Sequence, residues 1–226
     1  MSALGCTSVI VPARDEAAAI GNVVAGLFRS GAARVMVVDN ASRDATRAVA
    51  RAAGAEVVDA SRRGYGWACL AGTRAAHGSE LVGYIDGDGS FRARDLARLA
   101  ELVAGGQADL AVGVRGRTAL MPAHQRVGNA ATCAALRALY GVTISDVAPL
   151  RVIRADLLRE LDMQGTRYAW LIEMLAKAAR RGARIAALEV DYGPRQGGTS
   201  KVSGSARGSL LAGLDFFRAL ATYRTW

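Results

Sequence analysis

Two carboxylates separated by one glycine, Asp86-Gly87-Asp88, follow the apolar run Leu81-Val82-Gly83-Tyr84-Ile85 and lead into Gly89-Ser90. In an extended segment alternate residues point to one side, so Asp86 and Asp88 are candidate ligands to one hard divalent cation, Mg or Mn, held through oxygen. A D-x-D is also a common turn in which aspartate tolerates unusual dihedrals. Other metal ligands are scarce. The chain has two histidines, His77 and His124, and three scattered cysteines, Cys6, Cys69 and Cys133. That count argues against a disulfide framework and against a Cys-type zinc site, and leaves the cysteines as expected core residues.

Two more apolar runs end in polar clusters. Val9-Ile10-Val11 leads into Pro12-Ala13-Arg14-Asp15-Glu16, and Val37-Val38 leads into Asp39-Asn40-Ala41-Ser42-Arg43-Asp44. If all three runs are parallel strands, their polar ends converge with Asp86 and Asp88 at the carboxyl edge of one sheet, where open α/β sheets bind ligands. At such an edge Asp39 can accept a hydrogen bond from a base N–H, while Arg14 and Arg63 can meet phosphates. The Gly64-Tyr65-Gly66 turn would let backbone approach a ligand closely. Ser42 or Asp44 is expected to cap the helix that follows.

The elements that must position these residues are legible as alternating patterns. Short β-branched runs at 7–12, 34–39, 56–59, 81–85 and 109–114 alternate with Ala-rich, helix-period segments at 17–30, 44–53, 66–77 and 94–104. This predicts an α/β domain, Rossmann-like, with a mostly parallel central sheet and helices on both faces. Beyond it, helices are expected at 121–140 and 168–181 and strands at 150–153 and 184–192. No linker divides the chain, so residues 1–226 read as a single domain. A Gly/Ser-rich loop at 193–205 carries Arg195 and Lys201. Residues 205–226, with Leu210, Leu211, Leu214, Phe217 and Leu220, have the pattern of an amphipathic helix that caps the domain or rests on a membrane surface.

Composition narrows the classes further. At 226 residues, 51% hydrophobic and 22% charged, the chain can fill a core, which excludes a disordered protein. The net charge of +9 calls for an anionic partner, although almost all of the basic residues are arginines, many of them expected to be solvated surface. A nucleic-acid-binding module is disfavoured, because aromatics make up only 6% and the basic residues are dispersed. There is no apolar run of about 18 residues and no signal-peptide pattern at the start, so the expected location is the cytoplasm, up to the inner face of the membrane.

Taken in order, the motifs VIVPARDE, VVDNASRDAT, RRGYGWACLAG, YIDGDGS and HQRVGN, followed by SDVAPLRVIRADLL, YAWLIEMLAKAARRG and VDYGPRQGGTSKVSG, resemble the family 2 glycosyltransferases of GT-A fold. The similarity is strongest to the dolichyl- and polyprenyl-phosphate sugar synthases. It implies a nucleoside-diphosphate sugar bound by residues 1–114 through Pro12, Arg14, Glu16, Asp39, Arg63, Gly64 and Asp86, with Mg or Mn on Asp86 and Asp88 and inversion at the anomeric carbon. Residues 115–226 would form the acceptor side, for a polyprenyl phosphate or a small soluble acceptor. There Asp146 and Glu173 are candidate bases for a hydroxyl acceptor, whereas a lipid phosphate is already ionised and needs none. Glu173 reads equally well as the i,i+4 partner of Lys177. Arg126, Arg195 and Lys201 stand where phosphate-handling cations are expected.

Two positions depart from the pattern. Asn40 replaces a frequent second aspartate, and Ala148-Pro149-Leu150-Arg151 replaces a Gly-Phe-Arg turn. The membrane helices that often follow the catalytic part of polyprenyl-phosphate enzymes have no counterpart before Trp226, which keeps a soluble acceptor in play. A sugar-phosphate nucleotidyltransferase is the alternative enzyme class, but its Gly-rich loop after the first strand is missing. Peripheral membrane contact and a homo-oligomer are both compatible with this sequence.

Overall fold

A computed structural model of the chain describes residues 2–60, 62–116, 122–197, 215–216, 219–220 and 222–223. Seven strands form one sheet: β1 (Thr7–Ala13), β2 (Arg34–Asp39), β3 (Glu56–Asp59), β4 (Leu81–Tyr84), β5 (Leu110–Arg115), β6 (Arg151–Arg154) and β7 (Ile185–Val190). Their order is β3-β2-β1-β4-β6-β5-β7. The sheet is parallel except at β6, which pairs antiparallel with both β4 and β5. The expected α/β architecture is therefore the observed one.

Both faces of the sheet are covered because both faces of its strands are apolar. Val9, Val11, Val35 and Val37 belong to one core with α1 (Ala17–Arg29) and α4 (Ala93–Ala104). The alternate residues Ile10, Met36 and Val38 belong to the other, with α3 (Tyr65–Ala75) and α7 (Ala169–Arg180). This period-two division is the reason that central strands read as continuous hydrophobic runs. Cys69 and Cys133 are buried thiols and Cys6 is half-buried. The helix α2 (Thr46–Ala52) leans on α1, and α5 (Ala123–Tyr140) is anchored by its second half, where Thr132, Cys133 and Leu136 are buried. The short α6 (Ala155–Glu160) has no counterpart among the sequence expectations; six residues show too little periodicity to reveal it.

Of the expected C-terminal amphipathic helix, Ala219 and Leu220 are buried in the core and Tyr140 Oη donates to the carbonyl of Leu220. Phe216 and Tyr223 pack against the same core; residues 198–214 with Lys201, 217–218, 221 and 224–226 lie outside the described residues.

At the amino end of the crossover strands, Asp109 ties three strands together. It accepts from the backbone N–H and side chain of Arg184, which precedes β7, and from Arg154 at the end of β6. The Arg184 hydrogen bond, together with the Arg154 contact, holds the Asp109 carboxyl below the usual carboxylate range. A depressed folded-state pKa stabilises above the unfolded value of 3.8 and loses that contribution as pH falls through the folded value. Both arginines are half exposed and screened by solvent, so the effect is modest. Asp109→Asn should lower the melting temperature at pH 7 by a few degrees. The gap from the parent should close as pH drops below 3.8 in calorimetry; a gap that persists at acid pH would contradict this assignment.

Candidate active site

The site forms where β1 and β4 part. The β1–β2 ladder continues to Ala13 O, which accepts from Asn40 N, whereas the last β1–β4 contact is Ile85 N to Ile10 O. Pro12 lies just beyond that contact and has no N–H to offer another strand, so the separation is built into β1. Chain order reverses here, with β2 and β3 on one side and β4 on the other, which is the position where open sheets bind ligands.

Four loops meet in the opening. The 13–17 and 40–46 loops are stitched to each other: Asp15 N donates to Ser42 Oγ, Glu16 N to Thr46 Oγ1, Ala17 N to Asp44 Oδ2 and Arg43 N to Asp15 Oδ1. Asp44 also accepts from Thr46 N at the start of α2 while tethering the start of α1; the cap position itself is Ala45, which has no side-chain acceptor. Asp39 is fully buried at the end of β2, with Oδ2 bound to Arg47 Nε at 2.7 Å. Its Oδ1 is buried and has no hydrogen-bond partner among the described residues. A buried acceptor left in this state costs free energy, which marks a place where a ligand donor fits.

The Asp86 to Ser90 segment is a turn, not the extended run from which the shared side of the two carboxylates was argued. A Cβ on Gly87 would lie 3.3 Å from that of Ala13, so this glycine lets the turn press against the end of β1, while Gly89 takes φ +75° beside the Gln196 side chain. Asp88 is buried, and Oδ1 accepts from the Ser90 N–H and hydroxyl. Its Oδ2 binds Arg195 Nη1 at 2.7 Å, and Arg195 Nη2 binds Glu16 Oε1 at 2.6 Å. Burial first, and then the Asp88 charge, push the Asp86 carboxyl up to about 7. Burial opposes the charge on Arg195, but Asp88 and Glu16 outweigh it and hold the guanidinium in its charged form. The segment bearing Arg195 is fixed by Gly193 N to Ser90 O and Gln196 N to Asp88 O.

The fourth loop, 62–64, is held by Asn40, whose Oδ1 accepts from Gly64 N at 2.8 Å and whose Nδ2 donates to Arg62 O at 2.7 Å. An aspartate could make only the first of these bonds, which gives the departure at this position a physical reason. Arg63 is exposed on this turn, and Gly64 has φ +147°, a conformation that side chains disfavour.

Glu16, Asp86, Asp88 and Arg195 therefore form one charged cluster, with Asp39 and Gly64 on adjoining loops. Arg14 pairs with Asp15 at 3.7 Å, while Arg126 is exposed on α5. The two candidate bases are engaged elsewhere. Asp146 accepts from Arg115 N, Nε and Nη2, and Glu173 is fully buried against Lys177 at 2.8 Å. Arg115, at the end of β5 and over the Tyr192 ring, escaped the sequence reading. Its signal was a charged residue ending an apolar run, as at Asp39. The buried Arg151 donates to the carbonyls of Ala148 and Leu171 and so closes the Ala148-Pro149-Leu150-Arg151 turn.

Among the described residues no group of three or more His, Cys, Asp or Glu side chains is arranged to hold a metal ion. Asp86 and Asp88 could thus supply only part of a coordination shell. This suits Mg, which binds through one or two carboxylates plus substrate phosphates.

The model for glycosyl transferase family 2 matches residues 8–161. An uncharacterized glycosyltransferase of Mycobacterium tuberculosis is 42% identical over 217 residues, spanning 95% of this chain and 97% of that protein. An undecaprenyl-phosphate mannosyltransferase of Micrococcus luteus is 33% identical over 78% of this chain and 79% of its own. Among solved structures, glucosyl-3-phosphoglycerate synthase from Mycobacterium tuberculosis, in complex with Mn2+, UDP and glucosyl-3-phosphoglycerate, superposes with a TM-score of 0.79. It is 20% identical and covers 98% of this chain and 82% of that one, a likeness of fold.

Removing both Asn40 bonds should free the 62–64 turn. Asn40→Ala is expected to accelerate limited tryptic cleavage at Arg62 and Arg63 about tenfold, with global stability little changed. An unchanged cleavage rate would show that the turn is held by other contacts.

Proposed function

The chain belongs to glycosyl transferase family 2, and from that premise we propose that it transfers a sugar from a nucleoside-diphosphate sugar to a polyprenyl phosphate, with a divalent cation at Asp86 and Asp88. In this reading the unsatisfied Asp39 Oδ1 accepts from the base, and the Asn40-held turn with Arg63 flanks the nucleotide. The residues fit a cation: a guanidinium already stands between Asp88 and Glu16, so the locus attracts positive charge in the bare protein. Bound Mg or Mn would supply Lewis-acid stabilisation of the departing diphosphate. Arg195 adds a positive charge at the same place, on a segment hydrogen-bonded to Asp88 and Ser90. As an acceptor oxygen bonds to the anomeric carbon from the opposite face, the bond to the diphosphate breaks and its electron pair leaves with the nucleotide.

One observation carries the choice of acceptor. Asp146 is held by the backbone N–H and guanidinium of Arg115, and Glu173 by Lys177 and the N–H groups of Gln164 and Gly165. A general base must be turned toward the acceptor proton, whereas both of these carboxylates are turned to their own partners. A phosphate monoester is already ionised and attacks without one, and the relative named for undecaprenyl phosphate supports the same acceptor class. Among the described residues no helix is long and apolar enough to cross a membrane, so a lipid acceptor would be met at the membrane surface.

Two measurements test this reading. In a thermal-shift panel of nucleotide sugars, one donor should raise the melting temperature further when Mn is present. Asp88→Ala should remove that metal-dependent part and leave the fold intact; a variant that responds like the parent would overturn the cation site. With that donor, polyprenyl phosphate should be glycosylated, whereas polyprenol and 3-phosphoglycerate should not. Transfer to the hydroxyl acceptors alone would reverse the assignment.

A further inference from the structure

We infer that Glu173 is a positioning residue for the nucleotide site, acting through the 161–167 loop on the Arg62-to-Gly66 turn. The inference rests on reading that turn as part of the donor site. Glu173 lies on α7 and is fully buried, yet its carboxylate faces backbone: Oε1 accepts from Gln164 N at 2.8 Å and Oε2 from Gly165 N at 2.6 Å. Lys177, one turn on and equally buried, binds Glu173 and donates to the carbonyls of Leu161 and Asp162, each at 2.8 Å. The ion pair thus grips a single loop at four backbone groups. That grip offsets the cost of burying two charges and gives the pair a use beyond stability. Asp162 takes φ +42°, unusual for a side-chain-bearing residue, at the point where Lys177 holds its carbonyl.

The opposite side of this loop is the seat of the turn. Trp67 N donates to Thr166 O, and the backbones touch so closely that side chains are excluded. A Cβ on Gly66 would lie 2.1 Å from Gly165 O, one on Gly64 would lie 2.6 Å from Thr166 O, and one on Gly165 would lie 2.7 Å from Glu173 Oε2. Just past the loop, Tyr168 stacks on Tyr65 with centroids 5.5 Å apart. Three glycines therefore let carboxylate, loop and turn stack in direct contact, and close-packed layers pass on displacement. Asn40 holds the same turn from the β2 side. Position is thus imposed on residues 62–66 from two directions, one local to the donor crevice and one from α7.

The test is a double-mutant cycle on the full chain, using UDP and GDP, each with Mn, as probes in titration calorimetry. Glu173→Gln keeps the shape but cannot accept from both amides and leaves Lys177 without its counter-charge. It is expected to weaken the better nucleotide about tenfold. Combined with Asn40→Ala, it should depart from additivity, because both substitutions act on one turn. Hydrogen exchange at the Trp67 amide, whose acceptor belongs to the loop, should rise in Glu173→Gln even without nucleotide. If Glu173→Gln folds poorly, Glu173→Gln/Lys177→Met removes both buried charges and is expected to fold while showing the same two losses.

Parental nucleotide affinity and parental Trp67 exchange in these variants would overturn the inference. So would lost turnover at unchanged nucleotide affinity and unchanged exchange, the signature of a base. If the parent itself binds neither nucleotide, the donor-site reading fails, and the inferred role in nucleotide positioning fails with it. Faster Trp67 exchange would then report only a loop contact.

Discussion

Negative charge gathered where β1 and β4 diverge is the constraint around which the rest of the structure is arranged. Glu16, Asp86 and Asp88 come from two different loops, and the sheet presents them together at a partly dry edge, where burial raises the Asp86 carboxyl. Arg195 answers that charge from a segment more than a hundred residues away, tied by its own backbone to Asp88 and Ser90. Carboxylates gathered in this way favour positive charge beside them. The fold supplies one guanidinium, and the carboxylates attract positive charge brought by a ligand.

Around this edge the supporting contacts are mostly side chain to backbone. Asn40 grips the 62–64 turn, Asp44 and Thr46 tether the start of α1, and Glu173 with Lys177 grips the 161–165 backbone. Such bonds fix loops that make no ladder of their own, and they hold a binding edge in one conformation before a ligand arrives. The arrangement also separates two kinds of charge. Those at the sheet edge are under-neutralised, whereas Asp146 and Glu173 are neutralised by dedicated partners.

Much of this was legible in the sequence because its signals are local. The apolar runs ending in Asp39 and in Asp86 disclosed both the strands and the edge on which polar residues collect. The same logic at Arg115 went unread, since a single arginine in an arginine-rich chain carries little signal. The role of Asn40 depends on a carbonyl 22 residues later, and that of Glu173 on amides in an irregular loop. No periodicity reports partners of that kind. The i,i+4 spacing of Glu173 and Lys177 did point to the pair, but not to the loop that it holds. Asp86 and Asp88 lie at the sheet edge, but glycine makes a turn there in place of the extension that alternation assumes.

The central claim is that Asp86 and Asp88 hold a divalent cation together with the diphosphate of a nucleotide. Pulsed electron-nuclear double resonance on Mn bound to the protein with a nucleoside diphosphate measures this most directly. The account predicts phosphorus hyperfine coupling on a protein-bound Mn signal that disappears when Asp88 is replaced by asparagine. Mn that shows phosphorus coupling with either residue at position 88, or binds with no phosphorus nearby, would contradict it.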